Sequence, residues 1–485
     1  MDSSNVFSTP HRQTIALAAP LAGLAVLGGG LVWLSARFGF SVPIEEKPVE
    51  AVVLLLCAMG LCFLLLARRL LACGLTRSWL AVGIGLGLAL RLAMLFSQPI
   101  LETDYYRYLW DGAVVATGTN PYRPIPEQVL EVQGPLTPLA LESGVVAARI
   151  NHPQLRTVYP PVAQGFFGLS HLIAPWSLLG WRLVLLVADG VTLALLIQLL
   201  RSAQLPLRFS LLYWLNPVVL KEIHNAAHMD VLLVPFLLGA LLLAHRGRLM
   251  TAVLCLVGAA GIKVWPLLLL PLLLRAADVS RGRKVGAVCF AGALAAVLYL
   301  PVAFAGLNET SGFTAYASRW EMNNSLSLLL LALGRWVEGA FLPAVSARAF
   351  AVGASAILLG TALLIALRKP VGGVDDLAGR ALALAAALFL LSPTQFPWYS
   401  LWFLPLLAIR PHIGLLFYAL TLPLYYLRFR YAGEGIAPLF DNGVVWIEHG
   451  PVLLLLAAAK WKPVWIPAHP GPLSALPSAR QSSCA

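Results

Sequence analysis

The chain has 485 residues, of which 59% are hydrophobic and 12% are charged, and its mean hydropathy is +0.80. Apolar runs of about 18 residues recur along the whole length, which excludes an ordinary soluble domain. These runs do not alternate in polarity, which excludes a membrane β-barrel. The net charge of +12 implies no nucleic-acid partner, because the basic residues lie in short connectors between apolar runs. The sequence therefore predicts an all-α polytopic membrane protein.

In chain order, the apolar runs predict one bundle of about eleven to fourteen transmembrane helices. A single transmembrane domain is expected over residues 14–462, with disordered tails at 1–13 and 463–485. Several runs are shorter than the ~20 residues that a perpendicular helix needs, so some should be tilted, broken or re-entrant. The expected spans are 14–36, 50–67, 78–97, 179–200, 207–221, 229–245, 250–262, 264–274, 284–306, 345–367, 379–392, 396–409, 412–428 and 444–459.

The charges of the connectors predict the orientation of this bundle. Lys and Arg gather in connectors that should be cytoplasmic, whereas residues 98–157 carry six acids against four arginines. Residues 98–178 should therefore form a large outer loop, with a juxtamembrane helix near 162–175. The segment 324–335 is expected to lie along the same outer face.

The start of this loop holds an unusual concentration of charge. A helix that begins after an N-cap at Thr103 would present Asp104, Arg107, Tyr108 and Asp111 on one face, at i, i+3, i+4 and i+7. One interpretation is an amphipathic interfacial helix with an Arg107–Asp111 ion pair. The other is a catalytic base surrounded by substrate ligands, because charges at a membrane edge commonly mark a functional site. A neighbouring acid, at position 102, competes with Asp104 for the role of base.

A second polar segment, 224–230, opens a strongly apolar run. His224 and His228 lie at i and i+4, with Asn225 and Asp230 beside them. These residues could cap a helix at the outer interface or bind an anionic or sugar group. A zinc site would require a glutamate between the histidines and further ligands, and neither is evident. No metal is therefore predicted.

Two isolated cations and one aromatic segment complete the candidate site. Lys263 stands between two apolar runs, where it could extend to the interface or neutralise a phosphate. Arg319 is a second cation of this kind in the outer loop. In the segment 392–399, Gln395, Trp398 and Tyr399 accompany two prolines. These aromatic residues could form an interfacial belt, stack on a sugar or line a lipid groove.

Four motifs occur in a fixed order along the chain. They are Asp104-x-x-Arg-Tyr-x-x-Asp111 with Gly118-x-Asn120-Pro-Tyr122, then Tyr159-Pro-Pro161, His224-Asn-x-x-His-x-Asp230 and Ser392-Pro-x-x-x-Pro-Trp-Tyr399. With these motifs the chain resembles the GT-C superfamily of integral membrane glycosyltransferases that use polyprenyl-phosphate sugars. It is most similar to the family 87 and mycobacterial-type α-mannosyltransferase branches.

The resemblance implies an inverting glycosyltransferase of the cell envelope, without a cofactor, that acts on the outer side of the cytoplasmic (inner) membrane. Its donor would be a polyprenyl-phosphate sugar, in particular mannose, and its acceptor a glycan or a lipid-linked sugar. The catalytic base would be Asp104, with Asp111 as the second choice. The residues expected to bind substrate are Arg107, Tyr108, Asp111, Asn120, Tyr122, Tyr159, His224, Asn225, His228, Asp230, Lys263, Arg319, Gln395, Trp398 and Tyr399.

Two other functions fit a membrane protein with these motifs. A transporter or flippase of lipid-linked sugars would favour polar residues near the middle of the membrane and two related halves, and no internal repeat is evident. A ligase would move a whole glycan from a lipid diphosphate. The enzyme interpretation requires Asp104, the 224–230 segment and Lys263 to line one outward-facing cavity.

Overall fold

The computed structural model describes residues 10–131, 133–341 and 346–459. These residues form α-helices, shorter 3₁₀ and π segments and one isolated parallel bridge between Met322 and Thr394, with no strand among them. The predicted class, an all-α polytopic membrane protein, is confirmed. The first helix begins at Pro10, inside the tail predicted at 1–13. The rest of that tail and the predicted tail at 463–485 lie outside the described residues.

Seven helices of the described chain are long and apolar enough to cross a membrane. They are Leu17–Ser35, Val49–Ala72, Arg77–Met94, Leu178–Ser202, Arg281–Ala305, Ala347–Leu367 and Ala437–Ala459. One further pair, Pro217–Asn225 and Met229–His245, is apolar enough to cross a membrane only when the two helices are taken together, and they meet at an angle of 105°, as in a broken span or a re-entrant loop. We refer to this pair as the broken span.

The remaining predicted spans are shorter helices or chains of helical turns, which agrees with the expectation that some spans are broken. Prolines cause most of the breaks, because proline lacks the amide hydrogen that continues a helix. The shorter helices are Leu249–Ala260, Trp265–Ala276 and Val374–Leu391. The turns are Leu207–Ser210, Leu211–Trp214, Pro397–Trp402, Leu404–Ala408, Ile413–Leu416, Tyr418–Thr421, Leu422–Tyr426 and Leu427–Gly433.

The predicted outer loop contains several helices. They are Tyr105–Ala116, Pro126–Glu131, Thr137–Glu142, Ala147–Arg149 and Pro161–Ile173. Two further helices are Gly312–Arg319 and Leu326–Ala340, and the second of them contains most of the predicted outer segment 324–335. The Tyr105–Ala116 and Pro161–Ile173 helices pack so closely that a Cβ atom at Gly112 would lie 2.3 Å from the carbonyl oxygen of Phe167. This contact fixes the first helix of the loop.

The predicted N-cap at Thr103 is wrong. The helix begins at Tyr105, so Asp104 occupies the N-cap position, and its side chain makes no capping hydrogen bond. The carboxylate accepts hydrogen bonds from Asn151 and Tyr159 instead of from the first amides of the helix. The Asp104 carboxylate therefore points away from the free amides at the start of the Tyr105–Ala116 helix.

Candidate active site

A cavity of about 610 Å³ lies where the start of the predicted outer loop, the broken span and the aromatic segment meet. Its volume is within the ~300–1,000 Å³ typical of small-molecule sites. Aromatic and aliphatic side chains form most of the wall. The predicted site residues that line it are Asp104, Arg107, Tyr108, Tyr159, Lys263, Trp398 and Tyr399.

Asp104 is the carboxylate that opens into this cavity, and its side chain is 28% exposed. The Asn151 amide donates to its Oδ1 at 3.2 Å and the Tyr159 hydroxyl donates to its Oδ2 at 3.4 Å. Burial raises the pKa of Asp104 above the usual value for aspartate, and these two hydrogen bonds and the charge of Lys263 partly offset that effect. A carboxylate in this setting is a stronger base than an exposed one.

The broken span places the polar side chains of His228 and Asp230 next to residues of the cavity wall. A π turn over Leu220–Asn225 ends its first half, and Ala227 adopts the left-handed conformation at φ 64°. The indole of Trp181 donates to the carbonyl of Ala227 at 2.8 Å and holds this bend. Non-helical backbone at membrane depth is tolerated where it lines a cavity or is buried in protein. The bend directs His228 towards Asp104.

His228 lies fully buried between three carboxylates. Its Nδ1 is 3.9 Å from Oδ2 of Asp104, and its Nε2 is 3.9 Å from Oε2 of Glu102 and 3.8 Å from Oε2 of Glu222. The imidazole ring stacks on Trp398 with a centroid separation of 3.8 Å and an interplanar angle of 16°. Sequence reasoning missed Glu222, although a charged pair inside an apolar run was a signal for it.

Lys263 is a cation in the wall of the same cavity. Its ammonium lies 3.5 Å from Oδ1 of the buried Asp230 and 4.4 Å from the centroid of the Tyr399 ring, and the side chain is 18% exposed. The Tyr399 hydroxyl is in turn hydrogen-bonded to that of Tyr316 at 2.9 Å. These contacts orient a positive charge towards the open volume, where it can meet an anion.

Arg107 and Asp111 form the ion pair considered from the sequence, at 2.9 Å. Arg107 lines the cavity and also donates to the carbonyl of Leu155. Asp111 is 2% exposed and accepts hydrogen bonds from Thr157 and Gln164. Asp111 therefore fastens the loop to the Pro161–Ile173 helix and does not line the cavity.

The motif around Asn120 and Tyr122 supports the cavity from outside its wall. Asn120 accepts from the Tyr122 amide at 3.0 Å and donates to the carbonyl of Pro301 at 2.8 Å. The Tyr122 hydroxyl donates to the carbonyl of Tyr159 at 2.8 Å. Both residues hold Tyr159, which contacts Asp104, in its position.

His224 and Asn225 also lie away from the cavity. The Nε2 atom of His224 is 2.7 Å from the buried Asp189, which pairs with Arg91 at 2.6 Å. Asn225 accepts from the Ile100 amide and donates to Ser97 and to the carbonyl of Gln98. These two residues anchor the broken span to the neighbouring helices and to the first residues of the outer loop.

Two more predicted residues lie apart from the cavity wall. Gln395 is fully buried, donates to the carbonyls of Leu390 and Ser392 and accepts from Ser325. Arg319 is exposed at the end of its helix. Gln395 thus shapes the turn that presents Trp398, and Arg319 lies at the surface.

Trp398 and Tyr399 give the cavity two aromatic walls. Trp398 stacks between His228 and Phe396, with a centroid distance to Phe396 of 4.4 Å. Tyr399 stacks on Trp402 at 4.6 Å. Flat apolar walls with a few polar groups suit a sugar, which has both apolar faces and hydroxyl edges. In the described part of the chain, no three His, Cys, Asp or Glu side chains are placed to hold a metal ion.

The fold and the cavity define a multi-pass membrane protein with an acid and a cation in the wall of one cavity, and a buried imidazole 3.9 Å from the acid. The family model described as alpha-(1->6)-mannopyranosyltransferase, N-terminal domain, matches residues 12–278. The chain therefore belongs to this family and is a membrane-embedded mannosyltransferase. The match confirms the resemblance to the GT-C glycosyltransferases. No curated protein and no solved structure matches the chain.

The matched region contains most of the polar site. Asp104, His228, Asp230 and Lys263 lie within residues 12–278, whereas the aromatic segment at 392–399 lies beyond it. The part of the chain that matches the family model thus contains Asp104, His228 and Lys263. The second half of the chain supplies part of the aromatic wall of the cavity.

Proposed function

We propose that the protein transfers one mannose from a polyprenyl-phosphate donor to a hydroxyl of a lipid-linked or glycan acceptor, with inversion at the anomeric carbon. One observation carries the proposal: the Asp104 carboxylate and the Lys263 ammonium belong to the wall of the same cavity. A base and a phosphate-binding cation are the two groups that this reaction requires of a protein.

Lys263 is the group assigned to the donor phosphate. As the bond between the anomeric carbon and the phosphate oxygen breaks, negative charge develops on the leaving polyprenyl phosphate. A fixed cation stabilises that charge best in a site with little water. The ammonium of Lys263 is positioned by Asp230 and Tyr399 and is partly exposed to the cavity, which supports this assignment.

Asp104 is the group assigned to the acceptor. It takes the proton of the acceptor hydroxyl while the hydroxyl oxygen attacks the anomeric carbon from the side opposite the phosphate. The carbon–phosphate oxygen bond breaks, so the products are the mannosylated acceptor and polyprenyl phosphate. If the product is α-linked, as the family description indicates, inversion requires a β-linked donor. The raised pKa of Asp104 increases its basicity for this step.

The charge pattern supports an active site on the periplasmic or exterior side of the cytoplasmic membrane. The connectors rich in Lys and Arg alternate along the sequence with segments that carry more acids, and basic connectors are usually cytoplasmic. Asp104 belongs to one of the acidic segments. A donor with its lipid tail in the bilayer can reach such a site from the membrane.

An assay of donor specificity tests the proposed reaction most directly. Purified protein in detergent or vesicles is given polyprenyl-phosphate mannose with an acceptor, and nucleotide-linked mannose in a parallel reaction. We expect transfer only from the lipid donor, equal amounts of released polyprenyl phosphate and product, and inverted configuration by NMR. Transfer from the nucleotide donor alone, or retained configuration, would refute the proposal. Movement of intact donor across vesicles without bond cleavage would favour the transporter.

A further inference from the structure

His228 is a buried side chain whose two ring nitrogens have no hydrogen-bond partner among the described residues. Its relative exposure is 0%. Buried polar groups are nearly always hydrogen-bonded, so an exception requires a physical explanation. Packing against Trp398 explains the orientation of the ring but not the choice of an imidazole at this position.

The groups that face His228 come from four elements. Asp104 lies on the Nδ1 side, and Glu102 and Glu222 lie on the Nε2 side. Trp398 covers one face of the ring. Two positive charges act on the imidazole, Lys221 beside Glu222 and Lys263 in the cavity wall.

The two glutamates are held by different neighbours. The Tyr426 hydroxyl contacts both oxygens of Glu222 at 2.8 Å, and Lys221 donates to that hydroxyl at 2.7 Å. Glu102 has one buried oxygen without a partner and lines the cavity. Glu222 is thus enclosed, whereas Glu102 has access to the open volume.

We propose that His228 relays a proton from Asp104 to the pair formed by Glu102 and Glu222. The inference rests on the proposed function, since it takes Asp104 as the base of the transfer reaction. His228 acts through Asp104 and contacts no reacting atom of the substrates.

Each transfer conserves the single proton that the acceptor loses. The proton first binds Asp104. It then passes from Asp104 to Nδ1 of His228, while the proton on Nε2 passes to Glu102 or Glu222. Asp104 is ionised again. After the products leave, the glutamate returns its proton to Nε2 while Nδ1 returns one to Asp104. Asp104 releases that proton to solvent through the cavity that it lines, and the imidazole regains its original tautomer.

Distance and chemistry support this route. The three nitrogen–oxygen distances are 3.8–3.9 Å, and catalytic hydrogen bonds are often long before substrate binds and shorten in the complex. Neutral imidazole has one acceptor and one donor nitrogen, so it can accept on one side and donate on the other. Burial raises the pKa of Glu102 well above the usual value for glutamate, so this carboxylate accepts a proton more readily than an exposed one.

Two substitutions of His228 separate proton transfer from packing. His228→Gln preserves volume and hydrogen bonding but cannot carry a proton. His228→Ala opens a space beside Asp104 that free imidazole can fill. We expect both variants to lower kcat by roughly 10- to 100-fold, with apparent donor KM within about twofold of the parent value. Added imidazole should restore turnover of His228→Ala at least tenfold, and substituted imidazoles should do so in order of their pKa.

The matched control is His171, a half-buried histidine of the Pro161–Ile173 helix that does not line the cavity. His171→Gln and His171→Ala should retain parental turnover and show no response to imidazole. Thermal melting in detergent checks that the His228 variants are folded. Parental kcat in His228→Gln, or failure of imidazole to restore His228→Ala, would overturn the relay. Neither result would affect the proposed function, which is tested separately by the donor experiment and by the activity of Asp104→Asn.

Discussion

Replacing Lys263 by methionine tests the assignment of the donor phosphate. Methionine has a similar length and no charge, so the substitution removes the ammonium that lies 3.5 Å from Asp230 and 4.4 Å from the Tyr399 ring. It leaves the cavity wall largely filled. A phosphate bound in the cavity would then lose this cation, and Asp230 would lose the charge that compensates its burial.

The expected magnitude follows from the geometry. A hydrogen bond to a charged group contributes about 1.5–3 kcal/mol, which corresponds to a factor of about 10–150 in affinity or rate. The Lys263 side chain is only 18% exposed, so solvent screens its charge less than that of a surface lysine. We expect kcat/KM for polyprenyl-phosphate mannose to fall by this factor, with part of the loss in kcat, because charge on the phosphate increases in the transition state.

A double variant separates donor binding from the cost of an uncompensated carboxylate. Asp230 is 1% exposed, and breaking a buried pair by removing one partner is destabilising. In Lys263→Met/Asp230→Asn, both charges are absent, so thermal stability should recover while the loss of kcat/KM persists. Lys369→Met, in an exposed connector, is the matched single-charge control. Recovery of kcat/KM in the double variant, or an unchanged value in Lys263→Met, would refute the phosphate assignment.

Two further predictions concern the base and its scaffold. Burial raises the pKa of Asp104, and a base acts only when ionised, so kcat/KM should fall as pH decreases through a midpoint above the ordinary ~3.9. Asn151→Ala removes a hydrogen bond that favours the ionised form, so this midpoint should move to higher pH; an unchanged or lower midpoint in the pH–rate profile would contradict the assignment. Gly112→Ala should lower the melting temperature and activity, since overpacking costs about 1–3 kcal/mol and the new methyl group meets backbone. Gly165→Ala, with open space in the neighbouring helix, should be neutral or slightly stabilising; equal melting temperatures of the two variants would contradict this packing argument.

The sequence predicted the fold class because apolar runs and basic connectors determine how a chain sits in a membrane. It also predicted that some spans would be tilted, broken or re-entrant, without saying which. Proline-interrupted runs such as 396–409 and 412–428 have the hydropathy of a span but form short turns. Hydropathy measures the apolar environment, and helix continuity depends on backbone hydrogen bonds that proline removes.

The convergence of Asp104, His228 and Lys263 could also be expected from the sequence, since each residue stands at the end of an apolar run predicted to reach the outer face. The separation of His224 from His228 could not be expected from the sequence. Spacing of i and i+4 implies a shared face only on a continuous helix. The π turn and the left-handed Ala227 break that helix, so His224 contacts Asp189 while His228 faces Asp104.

Helical spacing likewise placed Asp104 and Asp111 on one face without showing what covers each of them. The Pro161–Ile173 helix supplies Gln164, which donates to Asp111 and encloses it. Asp104 lies just before the start of the Tyr105–Ala116 helix, and its side chain is partly exposed to the cavity. Tertiary packing therefore decides which of two similar carboxylates is accessible, and no local pattern encodes that choice.

The activity of Asp104→Asn in mannosyl transfer tests the central claim most directly. Asparagine preserves the size of the side chain and removes its ability to accept a proton. With polyprenyl-phosphate mannose and acceptor at saturation, kcat should fall by about 10²- to 10⁴-fold, while donor binding and melting temperature stay near those of the parent protein. Asp278→Asn, an exposed carboxylate in a connector, should retain full activity. Turnover of Asp104→Asn within a few-fold of the parent value would contradict the account.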